Sequence, residues 1–594
     1  MPDVIIERII DRTDGIPLFV EEMTRSLMES GFDAAASADK IPDTLQASLM
    51  ARLDRLPAGA RELAQIASVI GREVSLPLLA RTIGASDDDV LETTQSLFQS
   101  QLMQKGGFNS ESNIIFRHAL IRDAAYHSLL LSRRRDIHAK VAQVLEQQFS
   151  NVVETQPELI ARHYAEAGNI ELAIVYWRRA GERALALVAN PEAVGRFHNA
   201  LAQLGSLPAS DERDRQELEI LLTMGLPLIG ATGYASDEVR DNYSKAYRLS
   251  EKLGESEGLF ASARGLWNCV FDRAEMTRSL ELAQELVHLA ARDSRPDKIA
   301  LAQRALGSTW MSLGEFDKCR RAFDACLEIA EGSPLSFALK EHGEAPLQYN
   351  GWAECLLGRL DQGVALGRKA VEQARELDHP ITLAFSLHIL GIIYQTRRDY
   401  RLCHDLQAEV SELSKEHGFV FWSAGSKSML GCALSYLEEP GAGLELATQS
   451  IRDWSVTGAI LHVRTWSAFL ADAALNADDL QIAQAALSSS IGLAEANQDL
   501  LAFAELQRLN GCLEVRRGNM IEGTGLLEAA AATARKQNAV LFELRAATDL
   551  ARLAQSQGRA EEAFELISPV YDKFTEGFGT VDLVNAKSLL DELR

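Results

Sequence analysis

The sequence predicts a mostly all-α protein, the bulk of it a solenoid of stacked helical hairpins. Three observations carry that prediction. One turn recurs seven times in the C-terminal half, at Gly314, Gly358, Arg398, Glu439, Asp478, Gly518 and Gly558, with intervals of 44, 40, 41, 39, 40 and 40 residues. Amphipathic stretches flank each turn, as in hairpins that bury their apolar faces against their neighbours. The composition, 47% hydrophobic with 15 prolines in 594 residues, permits long uninterrupted helices. Length alone would suggest about four domains, but a solenoid grows without starting a new core.

From the N-terminus, helix signals run from Val4 to Asp11 and from Pro17 to Ser30, joined by Thr13-Asp14-Gly15-Ile16 and stopped by Gly31. They form a first segment, 1–32, and a polar linker from Asp33 to Lys40 follows it. Segment 41–116 then gives helices through Arg55, from Ala58 to Ile70, around Leu76 to Thr82, and from Ser86 toward Gln101. Two extended stretches, Leu102 to Gln104 and Ile114 to Phe116, flank Gly106, Gly107, Asn109 and Ser110. Helices followed by a hairpin in this order describe a winged helix-turn-helix. Its recognition helix opens Ser86-Asp87-Asp88-Asp89, and the segment has 6 Lys plus Arg against 9 Asp plus Glu. Ser86 caps that helix and the aspartates favour its N-terminal dipole, whereas a DNA reader needs a basic footprint.

A helical adaptor, 117–154, leads to the solenoid, 155–594. In one unit Leu306, Gly307 and Trp310 lie on the first helix, Gly314 turns, Phe316 opens the second, and Cys319, Phe323, Cys326 and Leu327 form its inner stripe. Leu390, Gly391, Tyr394, Arg398, Tyr400 and Cys403 fit the same template, as do Ala161, Tyr164, Gly168, Ile170, Ala173, Trp177 and Ala180. Small residues facing large ones let two helices approach closely. The structural positions of the repeat are therefore Gly307, Trp310, Gly314, Gly358, Gly391, Tyr394, Gly518 and Gly558. This pattern resembles the tetratricopeptide family, whose unit is about 34 residues. The longer period here implies extended helices or longer turns.

A second resemblance starts at Arg12-Thr13-Asp14-Gly15-Ile16-Pro17-Leu18-Phe19-Val20-Glu21-Glu22. It is similar to the segment that closes the ATPase module of bacterial signal-transduction (STAND, AAA-related) ATPases. Downstream, Ile41-Pro42-Asp43-Thr44-Leu45-Gln46, Arg52 to Leu56, Ile70-Gly71-Arg72-Glu73 and Phe116-Arg117-His118-Ala119-Leu120-Ile121-Arg122-Asp123 resemble the winged-helix and adaptor region of the same class. The resemblance implies that residues 1–32 are the C-terminal helical remnant, or lid, of an ATPase module. Full-length members of that class use ATP and magnesium, and many carry a class III adenylate or guanylate cyclase domain, as soluble adenylyl cyclases do. It further implies a nucleotide-sensing role for His118 with Arg117, by likeness to the Met-His-Asp element, whose His contacts a bound phosphate; the plainer alternative is a helix-start residue at a domain junction.

No Gly-x-x-x-x-Gly-Lys-Ser/Thr occurs, and no strand ending in paired acids precedes residue 12. The chain is thus expected to be the C-terminal part of such a protein, from an internal start, a split gene or a truncated gene model, with no catalytic residues and no cofactor of its own. The sequence has no His-Glu-x-x-His, Gly-x-Ser-x-Gly or EF-hand loop. Seven scattered cysteines without a Cys-x-x-Cys pair exclude the common zinc spacings and disfavour a disulfide framework. His288, His342, His388 and His462 read as isolated core or surface histidines, and Arg133-Arg134-Arg135 as a solvated run. A formal charge of −24 disfavours nucleic acid and anionic membrane as partners. Without an apolar run of about 18 residues or a leader-like N-terminus, a cytoplasmic location is expected.

Two function classes follow. The first is a regulatory sensor or scaffold that binds a protein, peptide or small inducer on the solenoid and works with an upstream ATPase or cyclase module. The alternative is the regulatory part of an ATP-binding cyclase whose catalytic domains lie upstream or on a separate chain. A transcriptional regulator ranks third.

Overall fold

The computed structural model describes residues 45–106, 113–331, 345–377, 379–437, 439–456 and 459–594, with Val20, Glu21 and Thr24. Nearly all of the proposed ATPase remnant, the whole linker and the motif up to Thr44, His342 and most of the loop around Gly107 lie outside the described residues. Two compact units divide the chain, residues 1–213 and 214–594.

In the first unit, helices Leu45–Asp54, Ala58–Ile70, Leu76–Ile83 and Asp87–Gln99 accompany a three-stranded antiparallel sheet. Its strands are β1 (Glu73–Ser75), β2 (Met103–Lys105) and β3 (Asn113–Phe116), in the order β1-β3-β2. Val74 pairs with Ile114 and Met103 with Phe116, and all four side chains are buried. The sequence pattern reveals only two of these strands. β1 is too short to show an alternating pattern and owes its conformation to β3. Ser86 makes a capping box: Asp89 N donates to Ser86 Oγ at 3.2 Å and Ser86 N to the Asp89 carboxylate at 3.4 Å, which satisfies helix-end donors.

Helices Ala119–His127, Leu131–Gln148, Ser150–Thr155, Pro157–Ala167, Ile170–Ala186 and Asn190–Gly205 complete the unit. The outlying hairpin around Gly168, which is left-handed at φ 80°, thus clusters with the N-terminal elements. A polar chain threads these helices. Tyr126 Oη lies 3.1 Å from His138 Nε2, and His138 Nδ1 lies 2.9 Å from His163 Nδ1. Of the three consecutive arginines, Arg133 pairs with Glu62 at 3.1 Å. Arg134 donates to the Leu129 carbonyl at 3.0 Å and covers the Tyr126 ring.

The second unit is a stack of antiparallel helical hairpins that ends in helix Val581–Glu592. Its helices are long and its turns short: Pro380–Thr396 has 17 residues and Tyr400–His417 has 18, with only residues 397–399 between them. Extended helices therefore account for the 40-residue period. Gly314, Gly358, Arg398, Asp478, Gly518 and Gly558 are all left-handed, with φ from 60° to 91°. Glu439 stands one residue later in its turn: its carbonyl accepts from Gly443 N at 3.0 Å, as that of Asp399 accepts from Cys403 N at 3.1 Å. Close approach follows the small-against-large rule. A Cβ on Gly307 would fall 2.8 Å from the Phe323 ring, and one on Gly391 would fall 2.0 Å from Gln407 Nε2.

One expectation from repeat architecture is corrected. In an open solenoid each hairpin touches only its neighbours, but this superhelix is wound tightly enough for its second coil to seat on its first. Ile460 N and Leu461 N both donate to the Asp272 carbonyl at 3.0 Å, and Leu500 N donates to the Ser312 carbonyl at 2.7 Å. Asp361 N and Gln362 N donate to Glu576 at 2.9 and 3.0 Å, and Gly577 N donates to Asp361 at 3.0 Å. Gly314 belongs to this seam as well as to its turn, since a Cβ there would fall 2.2 Å from Gln537 Nε2.

Candidate functional site

The seam between the coils forms a half-open cavity of about 140 Å³ within the second unit. Its first-coil wall comes from Trp267, Phe271 and Asp272 at the end of helix Ser256–Asp272, Arg304 and Ser308 on helix Pro296–Ser312, and Tyr349 on helix Ala345–Leu356. Ile381, Phe385 and His388 contribute from helix Pro380–Thr396, and Trp422 from helix Val420–Leu437. Trp454, Leu461 and His462 close it from the second coil. The rings pack on one another: Phe385 meets Trp422 edge-on at 5.7 Å, Tyr349 stacks near His462 at 6.1 Å, and Trp267 stacks on Phe271 at 5.1 Å. Such a lining offers broad apolar contact with a few polar points.

The polar points are unusual in their environment. His388 is buried, and burial pushes its pKa down to about 4 against the small opposing effect of Gln407, so its ring is neutral. Gln407 Nε2 donates to the His388 carbonyl at 2.9 Å, which turns Oε1 toward Nδ1, also at 2.9 Å. A carbonyl oxygen only accepts, so Nδ1 carries the proton and Nε2 is a bare acceptor. That Nε2 has no hydrogen-bond partner in the protein. His462, left-handed at φ 65°, sits 3.2 Å from the Tyr349 hydroxyl through Nε2, while its buried Nδ1 has no partner. Burial, with His388 nearby, lowers its pKa to about 3. Asp272 goes the other way: burial raises it to about 7 although the Arg304 guanidinium opposes the shift.

A second cavity, of about 240 Å³, is lined by Arg398, Asp472, Arg508, Arg545, Asp549 and Asp582 among others. Its charges already satisfy one another. Arg508 reaches Asp472 at 3.2 Å, Glu505 at 2.8 Å and Asp549 at 2.6 Å, and Arg545 reaches Asp582 at 2.8 Å and Glu505 at 3.0 Å. Burial would raise the Asp472 pKa, but Arg398, Arg508 and Arg545 hold it well below the ordinary carboxylate range. This is a clasp between helices.

Arg117 and His118, the nucleotide-sensing candidates, are both exposed. His118 precedes helix Ala119–His127 without a side-chain capping bond, and Arg117 donates to Gln101 at 2.9 Å. The repeat positions are structural. Gly307 and Gly391 mark close helix contacts, Trp310 lies under Lys318 at 4.5 Å, and the Tyr394 hydroxyl accepts from Arg368 at 2.7 Å. Gly518 and Gly558 have only their turn to serve, since a Cβ at either would meet nothing within 4 Å. His388 and His462, which the sequence pattern leaves isolated, both line the aromatic cavity. All seven cysteines are free. Among the described residues, no group of three or more His, Cys, Asp or Glu is placed to hold a metal, and no helix is long and apolar enough to cross a membrane.

No protein-family model matches the chain. It is 23% identical over 580 residues to an uncharacterized protein of Rhizobium meliloti (strain 1021), covering 94% of this chain and 53% of that protein. The chain thus spans about half the length of the curated relative it matches. Among solved structures it is similar to a signal transduction ATPase with numerous domains carrying a tetratricopeptide repeat sensor, from Pyrococcus horikoshii. That match has 14% identity and TM-score 0.33 over 90% of this chain and 70% of the other. A Rap protein complexed with competence and sporulation factor matches at 10% identity and TM-score 0.45 over 62% and 99%. The apo quorum sensor NprR from B. thuringiensis matches at 13% identity and TM-score 0.37 over 61% and 99%.

Proposed function

We propose that residues 214–594 are a sensor that receives a peptide side chain or a small inducer in the aromatic cavity. The observation that carries this reading is that the cavity wall is shared by both coils, from Trp267 and Phe385 on the first to Leu461 and His462 on the second. A ligand touching both coils favours the closed superhelix over any opened form, and such differential binding is what a sensor requires. Residues 41–154 serve, on the motif resemblance, as the winged-helix and adaptor part that passes the ligand state to an ATPase or cyclase module. ATP and magnesium belong to that module: this sequence has no P-loop, and exposed His118 and Arg117 could meet a nucleotide only from outside its main site. The regulatory part of a cyclase with catalytic domains elsewhere is the same role in a narrower family. The exposed aspartates Asp87, Asp88 and Asp89 weigh against a DNA reader.

A randomised pentapeptide pool offered to the full chain tests the reading. Retained peptides should raise hydrogen-exchange protection at residues 268–274 and 459–466 together. Retention should be lost in Ile381→Trp, which fills the mouth from an exposed position. Retention unchanged in that variant would reject the cavity as the site.

A further inference from the structure

Three features of the cavity limit what it can hold, and together they deepen the sensor reading, on which this inference rests. Size comes first. At about 140 Å³ the space is close to the roughly 150 Å³ that accommodates one benzene ring in an apolar protein core. Flat walls come second: Phe385, Trp422 and Tyr349 present ring faces and edges to it. The third is a polar defect. A buried acceptor without a donor is costly, yet His388 Nε2 is left bare while the other ring nitrogen gives its proton to Gln407 Oε1, and the Gln407 amide is held in turn by the His388 backbone carbonyl. Gly425 lies alongside, where a Cβ would come within 3.2 Å of His388 Cε1 and 3.5 Å of Nε2. Gly391 leaves room for Gln407, so the lock depends on a glycine of the helix that carries His388.

We propose that the cavity takes one ring-sized aromatic group bearing an N–H or O–H donor, and that this donor is given to Nε2 of His388. Gln407 is the positioning residue that fixes the tautomer. An indole or phenol has both properties. It can come as a Trp or Tyr side chain of a peptide or as a free heterocycle, and the test separates these sources.

Titration calorimetry on the full chain compares indole with indene, which has the same shape without the N–H. Indole should bind about tenfold more tightly, the increment of one hydrogen bond to a buried acceptor. His388→Phe should erase the difference while leaving indene binding in place. In the unsubstituted protein, ¹⁵N spectra of the histidine rings read Nε2 directly. Its signal should move with indole and stay with indene, which keeps the test valid if the variant does not fold. N-acetyltryptophanamide binding within a few-fold of indole assigns the group to a peptide side chain, whereas binding of indole alone assigns it to a free heterocycle; either supports the donor. Equal affinity for indole and indene would overturn the donor assignment and leave the sensor site standing. No binding of either, or binding that survives Ile381→Trp, would overturn both.

Discussion

Arg398 Nε lies 3.1 Å from Oδ1 of Asp582, which ties a hairpin turn of the first coil to the last helix of the chain. Arg398 does this from a left-handed position, φ 66°, that glycine occupies in four of the other turns. A left-handed non-glycine residue costs about 1–2 kcal/mol, and the clasp offsets that cost: Arg398 also reaches Asp472, at 3.5 Å.

Arg398→Gly removes the strain and the charge together. Asp582 keeps Arg545 and Asp472 keeps Arg508, so the loss stays below the roughly 3–5 kcal/mol of a fully orphaned buried charge. We expect a net destabilisation of about 1–2 kcal/mol in urea unfolding, and a double-mutant cycle with Asp582→Asn should show positive coupling. A variant as stable as the parent would mean that the clasp contributes nothing.

Gly314→Ala should cost more than Gly518→Ala. Both positions are left-handed, so both incur the backbone term of about 1–2 kcal/mol. Only Gly314 also has a neighbour from the second coil, Gln537. The difference between the two variants, measured by chemical denaturation, reads the coil-on-coil contact, and equal costs would argue against it.

Gly391→Leu should displace Gln407, with an overpacking cost of about 1–3 kcal/mol or more. Hydrogen-exchange protection should fall over residues 380–437. The seam carries the effect further, to residues 459–466, because the His388 ring meets the Trp466 ring edge-on at 5.9 Å. Loss confined to 380–437 would show that the coils are uncoupled there.

Acid should weaken the first unit through His138 and His163. Burial, then Arg134, lowers His138 to about 4; burial, then His138 itself and Arg162, lowers His163 to about 3. The unfolded chain takes up these protons near the ordinary value of about 6.5 and the native pair does not, so stability falls as pH drops from about 6.5 toward 3. His163→Gln keeps a polar partner and removes one titration. Its stability should vary less over that window, and an unchanged profile would contradict the assignment.

Asp272 works in the opposite sense. Its native pKa, about 7, lies above the ordinary value of about 3.9, so the native state holds the extra proton between these limits and stability falls as pH rises through that window. Asp272→Asn should therefore gain stability over the parent at pH 8 and match it near pH 4. No gain at pH 8 would show that the carboxylate is better solvated than its burial implies.

Hairpin positions were legible because each turn needs a left-handed residue and each helix an apolar stripe, both local properties. The four helices between Leu45 and Gln99 and two of the strands beside them were legible for the same reason; β1 was not, because three residues paired to a distant strand leave no periodic trace. The cavity was illegible for a different reason. His388 and His462 carry no shared spacing, and only the pitch of the superhelix brings them to one space. The available hint lay in Arg398, a charged residue at a glycine position of the repeat, which marks the place where the hairpin has a partner beyond its neighbours.

Coil-on-coil seating also bears on how this chain can change by gene duplication. An open array accepts a copied hairpin anywhere, since each unit meets the same neighbours as before. Here one more unit between Asp361 and Leu500 would slide every later hairpin past its mate, removing Leu500 from Ser312 and Glu576 from Asp361 at a stroke. The number of hairpins between the coils is therefore fixed by geometry, and lineages of this protein should vary in length at the ends of the solenoid while its middle keeps its count.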